Sequence, residues 1–425
     1  MDIKVNKNNN GFTGEIEIPS DKSITHRAIM LLSLAKGKSV INNFSKCADC
    51  FSTLKLFAQI GIEYEILNDT SLKIISSGKL KKSDKELYCG NSGTTMRLVS
   101  GILSGQNFDS ILTGDESLSK RPMKRIIEPL SMMGANIESN NFKSPLKING
   151  SHLCGINYVS NISSAQVKSC LLLAGLHADG ETVYTEPYLS RNHSELMLKY
   201  LGADIETDNL TTKIKSSVIE PKNISVCGDI SSAAFFIAAG LIVPNSRIII
   251  KNVGLNYTRT GIIDVIRQMG GNIEILDKRI VSNEEVGDIL VEYSQLKACE
   301  ISGEIIPRLI DEIPIIAVLA TQAEGTTIIK DAQDLRNKES DRIKAIVTEL
   351  QKLGADIIEM EDGFTINGKC RLIGNCELQT YCDHRLAMSL YVAGLISKES
   401  VLIKDFHWVN ISFPGFTRAF AGLSA

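Results

Sequence analysis

Apolar residues along the chain form two alternating kinds of helical segment. The first kind is apolar nearly all round, and six such segments begin at residues 23, 93, 163, 229, 311 and 383. A helix without a polar face must be buried, so these segments predict core helices. The second kind is amphipathic and ends at a glycine followed by an alternating stretch, as in IKAIVTELQKLG and then ADIIEMEDGFTING. This pattern predicts a surface helix, a glycine cap and a strand.

The glycine-containing string recurs about every seventy residues along the chain. Its copies are QIGIEYE, MMGANIE, YLGADIE, QMGGNIE and KLGADII, and each closes a helix and opens a strand. The repeating unit is therefore a buried helix, a strand, a surface helix and a strand. Six units are present, and the sixth lacks its closing strands. The glycines of the five strings are Gly61, Gly134, Gly202, Gly270 and Gly354.

Six units in 425 residues predict an α/β protein with two domains of three units each. In each domain, three parallel buried helices would be surrounded by strands and outer helices. The N-terminal strand pair at 2–18 would complete the sixth unit, which makes one domain discontinuous. We expect that domain to comprise residues 1–19 plus 229–425 and the other to comprise 20–228, with a hinge near 19–20 and 228–229.

The charge balance of the chain excludes some classes of partner. With 46 basic and 49 acidic side chains, the net charge is −3, which provides no overall field to gather nucleic acid or an anionic membrane. No stretch is long and apolar enough for a membrane span, and the first residues contain no signal-peptide core. We therefore expect a cytoplasmic protein that binds small molecules.

The ten cysteines are scattered in mostly apolar surroundings, which predicts reduced thiols rather than a disulfide framework. Cys47 and Cys50 form a C-x2-C pair, but a zinc site would need a second pair or nearby histidines. Packing is therefore the prediction for this pair, and no metal is expected.

Charged and polar residues of the predicted core helices stand at the N-terminal ends of those helices. Such ends offer free N–H groups and a partial positive charge, which suit phosphate and carboxylate groups. Several arginines and lysines with few acids predict a site for substrates that carry two or three anionic groups. Taken singly, each Asp or Ser at a helix start is more often an ordinary N-cap than a ligand. The candidates are Asp21, Lys22, Arg27, Asn91, Arg97, Ser164, Gln166, Asp311, Glu312, Asp383, His384 and Arg385, with Arg121, Arg191, Lys338, Glu339 and Arg342 on surface helices.

Seven strings extend the pattern to a known family. They are DKSITHRAIM, NSGTTMRL, KRPM, SSAQVK, IDEIPIIAV, NKESDR and YCDHRLAM. In order and spacing they resemble the 5-enolpyruvylshikimate-3-phosphate synthases, and the repeats resemble the two-domain inverse α/β fold of that enolpyruvyl transferase family. The resemblance implies transfer of the enolpyruvyl group of phosphoenolpyruvate to the 5-hydroxyl of shikimate 3-phosphate through a tetrahedral intermediate. In the family this is the glyphosate-targeted step of the shikimate pathway. We expect this chain to be a monomer that needs no cofactor.

The resemblance also implies residue roles by position. Asp311, Glu339 and Lys22 would transfer protons. The residues implied to hold shikimate 3-phosphate are Lys22, Ser23, Arg27, Ser164, Ala165, Gln166, Ser190, Arg191, Asp311 and Lys338. Those implied to hold phosphoenolpyruvate are Lys22, Asn91, Gly93, Arg121, Gln166, Arg342, His384 and Arg385. The chain departs from the family at Ile411, where many members carry a lysine, and the sequence leaves open whether Lys404 takes its place.

Two other functions fit parts of this pattern. The sister enzyme that transfers the same group to UDP-N-acetylglucosamine has the same repeats. It typically carries a cysteine in the loop before KRPM, where this chain has TGDESLS, and an asparagine at the position of Ser23. A non-catalytic anion-binding relative is the third possibility. Both carboxylates and all the phosphate-facing arginines are present, which favours the enzyme.

Overall fold

The computed structural model describes residues 1–423, which form 23 strands, 14 α-helices and three 3₁₀ helices. The strands are β1 (Ile3–Val5), β2 (Thr13–Glu17), β3 (Gly37–Asn42), β4 (Glu63–Ile66), β5 (Ser71–Ser76), β6 (Leu87–Tyr88), β7 (Ser110–Thr113), β8 (Asn136–Asn140), β9 (Lys143–Asn149), β10 (Asn157–Val159), β11 (Glu181–Thr185), β12 (Ile205–Asp208), β13 (Thr211–Lys215), β14 (Ile224–Ser225), β15 (Arg247–Gly254), β16 (Asn272–Val281), β17 (Glu284–Glu292), β18 (Glu300–Ile301), β19 (Gly325–Ile329), β20 (Asp356–Glu359), β21 (Phe364–Gly368), β22 (Glu377–Leu378) and β23 (Val401–Ile403).

The helices alternate with these strands along the chain. The α-helices are α1 (Lys22–Leu34), α2 (Ala48–Gln59), α3 (Gly93–Ser104), α4 (Glu116–Lys120), α5 (Lys124–Met132), α6 (Ala165–Gly175), α7 (His193–Tyr200), α8 (Ile230–Ile242), α9 (Gly261–Gln268), α10 (Ile306–Leu309), α11 (Ile313–Gln322), α12 (Arg342–Lys352), α13 (His384–Ile396) and α14 (Phe416–Ala421). The 3₁₀ helices are Gly303–Ile305, Gln333–Asn337 and Phe406–Ile411.

The chain divides into two compact units. Unit 1 comprises Met1–Pro19, Cys227–Arg279 and the chain from Glu285 onward, and unit 2 comprises Ser20–Val226 and Ile280–Glu284. In this division the chain passes from unit 1 to unit 2 after Pro19 and returns to unit 1 after Val226. The short segment Ile280–Glu284 also belongs to unit 2.

The turn between β16 and β17 belongs to unit 2 because its polar groups are bonded there. The backbone N–H of Ser225 donates to Ser282 Oγ at 2.9 Å, and Asn283 Nδ2 donates to the carbonyl of Leu196 at 2.9 Å. His193 Nδ1 lies 2.7 Å from Glu284 Oε1, and both side chains are buried.

The six helices predicted to be buried are confirmed. They are α1, α3 and α6 in unit 2 and α8, α11 and α13 in unit 1, and at least three quarters of the residues of each are buried. In α8 all thirteen residues are buried. Removing so many apolar side chains from water is the main driving force for forming each unit.

Six small sheets accompany the six core helices. In unit 2 the strand orders are β14-β3-β5-β4, β6-β7-β9-β8 and β10-β11-β13-β12, and in unit 1 they are β16-β17-β15-β2, β18-β19-β21-β20 and β1-β23-β22. The five glycines of the recurring string all have positive φ, between 75° and 97°, which confirms them as helix caps.

The N-terminal strands serve two different repeats, so the prediction that both complete the sixth unit is half wrong. Strand β1 does pair with β23, with Ile3 opposite Ile403. Strand β2 instead lies parallel to β15 in the sheet of the fourth repeat, with Ile16 opposite Ile250. Both isoleucines are buried in the core, so burial of the apolar side of β2 determines this pairing.

A buried chain of polar groups connects the first helices of unit 2. His26 Nδ1 lies 2.7 Å from Thr53 Oγ1, which lies 2.6 Å from Thr95 Oγ1, and Thr95 Oγ1 donates to Ser92 Oγ at 2.7 Å. These contacts link α1, α2 and the start of α3 without a charge. Burial lowers the pKa of His26 from 6.5 to about 3, so the imidazole is neutral at neutral pH.

Replacing Gly101 by alanine should destabilise unit 2, because its new Cβ would lie 2.1 Å from the carbonyl oxygen of Cys170 on α6. Backbone cannot yield as a side-chain end can, so we expect a cost near or above the top of the roughly 1–3 kcal/mol typical of overpacked cores. Urea unfolding followed by circular dichroism measures this cost. Ser104→Ala is the matched control, since Ser104 is buried on the same helix and its hydroxyl donates within that helix. An unchanged Gly101→Ala midpoint would contradict the close contact of α3 and α6.

Acid should destabilise the protein partly through His26. Its folded-state pKa of about 3 lies below the unfolded value of 6.5, so the unfolded chain binds a proton that the folded state excludes. This contribution is complete above pH 6.5 and is lost as the pH falls toward 3, at about 1.4 kcal/mol per pH unit for one proton. In His26→Asn the free energy of unfolding should fall less steeply over that range. The exposed His152, changed to Asn, serves as control, and parallel curves for His26→Asn and wild type would refute the prediction.

Candidate active site

The predicted site residues of unit 2 lie at the starts of α1, α3 and α6 and in two nearby loops. Side chains of Asp21, Ser92 and Ser164 cap these three helices by accepting backbone N–H groups. We call the following residues the unit 2 cluster: Lys22, Ser23, Arg27, Asn91, Gly93, Arg121, Ser164, Ala165, Gln166, Ser190 and Arg191.

The ammonium group of Lys22 is held by a carboxylate that the sequence analysis did not single out. Lys22 Nζ lies 3.0 Å from Asp49 Oδ2, and Asp49 stands in the first turn of α2. The thiol of Cys50 contacts the Lys22 carbonyl at 3.7 Å. Cys47 and Cys50 are both buried. Within residues 1–423, no group of three or more metal-ligating side chains is found.

Two arginines flank the start of α3. Arg121 donates to Asn91 Oδ1 at 2.7 Å, and Arg97 donates to Gln166 Oε1 at 2.7 Å. A Cβ on Gly93 would lie 2.9 Å from an Arg97 nitrogen and 3.5 Å from an Arg121 nitrogen. Glycine therefore leaves the space in front of both guanidinium groups open. The structure brings together these predicted residues and adds Arg97, which sequence analysis noted only as a charge at a helix start.

Arg27 is buried and its guanidinium is oriented by neutral oxygens. Nε donates to Ser194 Oγ at 2.7 Å, Nη2 to Ser169 Oγ at 2.7 Å and Nη1 to the Ser23 carbonyl at 3.0 Å. These oxygens position the guanidinium. The contacts join α1 to α6 and α7, the helices that flank Ser190.

The predicted site residues of unit 1 gather around one buried arginine. Arg342 is the first residue of α12 and is 1% exposed. Its Nε donates to Asp383 Oδ2 at 2.7 Å, Nη1 to Asp311 Oδ1 at 3.1 Å and Nη2 to Glu339 Oε2 at 2.8 Å. We call the following residues the unit 1 cluster: Asp311, Glu312, Lys338, Glu339, Arg342, Asp383, His384 and Arg385.

Asp311 is surrounded by three cations. Arg342 Nη1 lies 3.1 Å away, Arg385 Nη2 lies 3.7 Å from Oδ2, and Lys338 Nζ lies 3.9 Å from Oδ1. Only the first distance is short enough for a hydrogen bond. Asp311 thus accepts a hydrogen bond from one guanidinium, and two further cations lie within 4 Å of its carboxylate.

Asp383 is a buried carboxylate that the sequence analysis noted without a role. It caps α13 by accepting from the N–H of Arg385 at 2.9 Å. Burial alone would raise the pKa of Asp383, but the Arg342 guanidinium outweighs burial and lowers it. Burial likewise opposes the charge of Arg342, yet Asp383, Glu339 and Asp311 together raise its pKa above the ordinary value. Asp383 and Arg342 therefore stay ionised at neutral pH.

The expectation of few acids is wrong for unit 1. Arg342 alone contacts three carboxylates, and Glu312 adds a fourth that lies 3.9 Å from Arg385 and bonds Ser231 Oγ. Each buried cation needs partners to offset its lost hydration, which is why acids accompany these arginines. Sequence spacing could not show this requirement.

Ile411 stands at the position where many family members carry a lysine. Ile411 ends the 3₁₀ helix Phe406–Ile411 and is half-buried. Lys404 Nζ lies 2.5 Å from Asp2 Oδ2, and this carboxylate raises the lysine pKa. Lys404 is thus engaged at the N-terminus of the chain.

No helix within residues 1–423 combines the length and the apolar character that a membrane crossing requires.

Comparison with known proteins agrees with this arrangement. The sequence model described as EPSP synthase (3-phosphoshikimate 1-carboxyvinyltransferase) matches residues 7–420. A 3-phosphoshikimate 1-carboxyvinyltransferase of Endomicrobium trichonymphae is 51% identical over 423 residues, 98% of each chain. One of Thermodesulfovibrio yellowstonii is 53% identical over 413 residues, 95% of each chain.

Solved structures extend the comparison to the fold. The EPSP synthase of Acinetobacter baumannii has a TM-score of 0.89 at 39% identity, with 99% of this chain and 98% of that chain covered. The enolpyruvyl transferase NikO of Streptomyces tendae has a TM-score of 0.80 over 99% and 97% of the chains, but at 16% identity it shows a likeness of fold alone. The expected two-domain inverse α/β fold is confirmed.

The names of these relatives specify 3-phosphoshikimate as the acceptor, not UDP-N-acetylglucosamine. They therefore favour the first of the two transferase functions considered from the sequence. The chain therefore belongs to the EPSP synthase (3-phosphoshikimate 1-carboxyvinyltransferase) family and is an enzyme of carboxyvinyl transfer.

Proposed function

We propose that the unit 2 and unit 1 clusters together carry out transfer of the enolpyruvyl group from phosphoenolpyruvate to the 5-hydroxyl of shikimate 3-phosphate. The observation that carries the residue roles is the Arg342 centre, which places both proposed proton-transfer carboxylates, Asp311 and Glu339, on one guanidinium. Neither carboxylate is fully buried, so each remains accessible to a substrate.

Shikimate 3-phosphate is assigned mainly to the unit 2 cluster. Lys22, Ser23, Arg27, Ser164, Gln166 and Arg191 supply cationic or hydroxyl and amide donors, and Ala165 supplies its backbone. The helix starts at Lys22 and Ala165 add N–H groups and a partial positive charge. From unit 1, Lys338 and Asp311 would contact the same substrate.

Phosphoenolpyruvate is assigned to Asn91, Gly93, Arg121 and Gln166 of unit 2, together with Lys22. The open space in front of Gly93, with two guanidinium groups at its edge, suits a phosphate or carboxylate group. Arg342, His384 and Arg385 of unit 1 complete the set. The contacts of Arg342 with carboxylates use four of its five N–H groups, which leaves one Nη1 hydrogen for the substrate.

The addition step and the elimination step each require two proton transfers. Asp311 accepts the proton of the 5-hydroxyl as its oxygen bonds C2 of phosphoenolpyruvate, and Glu339 or Lys22 delivers a proton to C3. As the tetrahedral adduct collapses the roles reverse: C3 returns its proton to Glu339 or Lys22, and Asp311 gives its proton to the departing phosphate. Arginines and lysines stabilise the negative charge on the carboxylate and on the departing phosphate. These residues supply binding, positioning and proton transfer.

We also propose a cytoplasmic monomer that acts on these small molecules and binds neither nucleic acid nor membrane. In support, no two cysteines within residues 1–423 are joined by a disulfide, which suits a reducing compartment. The net charge of −3 provides no field for polyanions. Size-exclusion chromatography with light scattering would test the oligomeric state, and a mass well above 46.5 kDa would exclude a monomer.

Asp311→Asn should lower kcat by about 10²–10⁴-fold, because the amide cannot accept the hydroxyl proton. The KM values should change much less, since the amide keeps the shape of the carboxylate. Phosphate release under steady-state conditions measures both parameters. Asp334→Asn is the matched control, since Asp334 also lies near Lys338, at 3.7 Å, but is exposed. Near-normal turnover by Asp311→Asn would remove Asp311 as the base.

Lys22→Met should raise the KM values for both substrates by about tenfold or more, because one ammonium is assigned to two anions. Titration of each substrate at a saturating concentration of the other separates the two effects. If only one KM rises, the shared role of Lys22 fails while the remaining assignments stand.

Arg342→Met should destabilise unit 1 by about 3–5 kcal/mol, because it leaves Asp383 buried without its cation. Denaturant unfolding measures this loss. Arg247→Met removes an exposed ion pair with Glu292 and should cost less than about 1 kcal/mol. Equal losses for the two variants would disprove the central role of the buried arginine.

A further inference from the structure

A buried group of charges in unit 2 lies beside the proposed shikimate 3-phosphate site and has no role in the reaction described above. Lys168 stands one turn into α6 and is 1% exposed. Its Nζ lies 2.7 Å from Glu186 Oε1 and 2.8 Å from Glu195 Oε1, and both glutamates are buried. Burial alone would lower the pKa of Lys168, but Glu195 and Glu186 outweigh it and raise the pKa, so the group is an ammonium ion.

Lys168 and Glu186 together hold every polar group of Ser190. The Ser190 N–H donates to Glu186 Oε1 at 2.9 Å, and the Ser190 hydroxyl donates to Glu186 Oε2 at 2.5 Å. The Ser190 carbonyl accepts from Lys168 Nζ at 3.2 Å. The backbone and side chain of this residue are therefore fixed by one ion pair.

This geometry limits what Ser190 can offer to a phosphate. A hydroxyl has one hydrogen, and here that hydrogen is directed at a carboxylate. A phosphate dianion needs donors, so Ser190 cannot bond it in this conformation. Arg191 is the next residue, and its guanidinium is always charged and matches phosphate geometry. Fixing Ser190 fixes the point from which the Arg191 side chain leaves the backbone.

Stability alone does not explain such a group. Burying three charges is costly, and apolar residues of similar volume often serve a core as well or better. The group also carries one more carboxylate than ammonium, so it is not even neutral. Its bonds converge on the single residue that precedes the phosphate ligand.

We propose that Lys168 and Glu186 are positioning residues for the 3-phosphate of shikimate 3-phosphate: they lock Ser190 and thereby direct Arg191 at the phosphate. Ser190 then acts through Arg191 and not as a phosphate ligand itself. This inference rests on the proposed function, which assigns Arg191 to that phosphate.

Glu186→Gln is the first test, because it keeps the shape of the side chain and replaces a charged acceptor by an amide. Lys168→Met is less suitable, since it would leave two carboxylates buried without their cation. Calorimetric titration should show affinity for shikimate 3-phosphate falling about tenfold or more. Affinity for unphosphorylated shikimate should stay within about twofold, because no phosphate is present to be positioned. Equal losses for both ligands would overturn the proposal, since general damage does not distinguish a phosphate.

Two controls separate positioning from stability. Glu181→Gln changes an exposed pair with Lys215 in the sheet of the same repeat and should leave both affinities unchanged. Leu72→Ala removes a fully buried side chain from β5 and should lower the melting temperature without changing the ratio of the two affinities. A changed ratio in Leu72→Ala would mean that lost stability alone mimics the expected result, and the proposal would fall.

The second test is a double-mutant cycle of Ser190→Ala and Arg191→Ala, which does not depend on the Glu186 variant. If Ser190 acts by placing Arg191, Ser190→Ala should weaken shikimate 3-phosphate binding in the wild type but not in Arg191→Ala. An undiminished effect in Arg191→Ala would make Ser190 a direct ligand and overturn the inference. If Arg191→Ala itself leaves the affinity unchanged, the assignment of Arg191 under the proposed function fails instead.

Discussion

The free-energy cost of moving charge out of water determines where polar groups stand in this chain. Six core helices are buried nearly all round, so their charged side chains are confined to the first two turns, where ionic and hydrogen-bonding partners compensate for lost hydration. Arg342 is the limiting case, because its buried guanidinium exists only together with the carboxylates that surround it. Those carboxylates include the ones proposed to move protons, so structural compensation and chemistry share the same atoms.

The two clusters orient their arginines in different ways. In unit 2, Arg27 and Arg97 bond hydroxyl, amide and carbonyl oxygens, which hold each guanidinium in place. In unit 1, Arg342 bonds carboxylates that offset its charge. The first arrangement suits the binding of anions, and the second places carboxylates that can exchange protons beside a fixed positive charge. This difference parallels the proposed division of roles.

The repeats could be predicted from the sequence because local residue patterns determine each of them. Apolar periodicity identified all six core helices, and the glycine caps followed from a positive φ that side chains disfavour. The residues that escaped prediction depend on contacts between distant segments. In the sequence Asp49 is an acid with no visible partner, and only folding places the Lys22 ammonium group 3.0 Å from it. In the same way, the sequence of β2 does not show which of two sheets the strand joins. The Ser190 hydroxyl likewise looked like a ligand because its bond to Glu186 is invisible in sequence.

The division of the N-terminal strands also sets an order of assembly. During synthesis, β1 and β2 leave the ribosome first, yet β2 pairs with β15 and β1 must wait for β23 near the end of the chain. The three core helices and three sheets of unit 2 lie within the continuous stretch Ser20–Val226, so they can form while the partner of β1 is still missing. The first residues made are thus among the last to be paired. A truncation that removes β23 would leave β1 and β22 with unpaired edges, because β23 is the strand that lies between them.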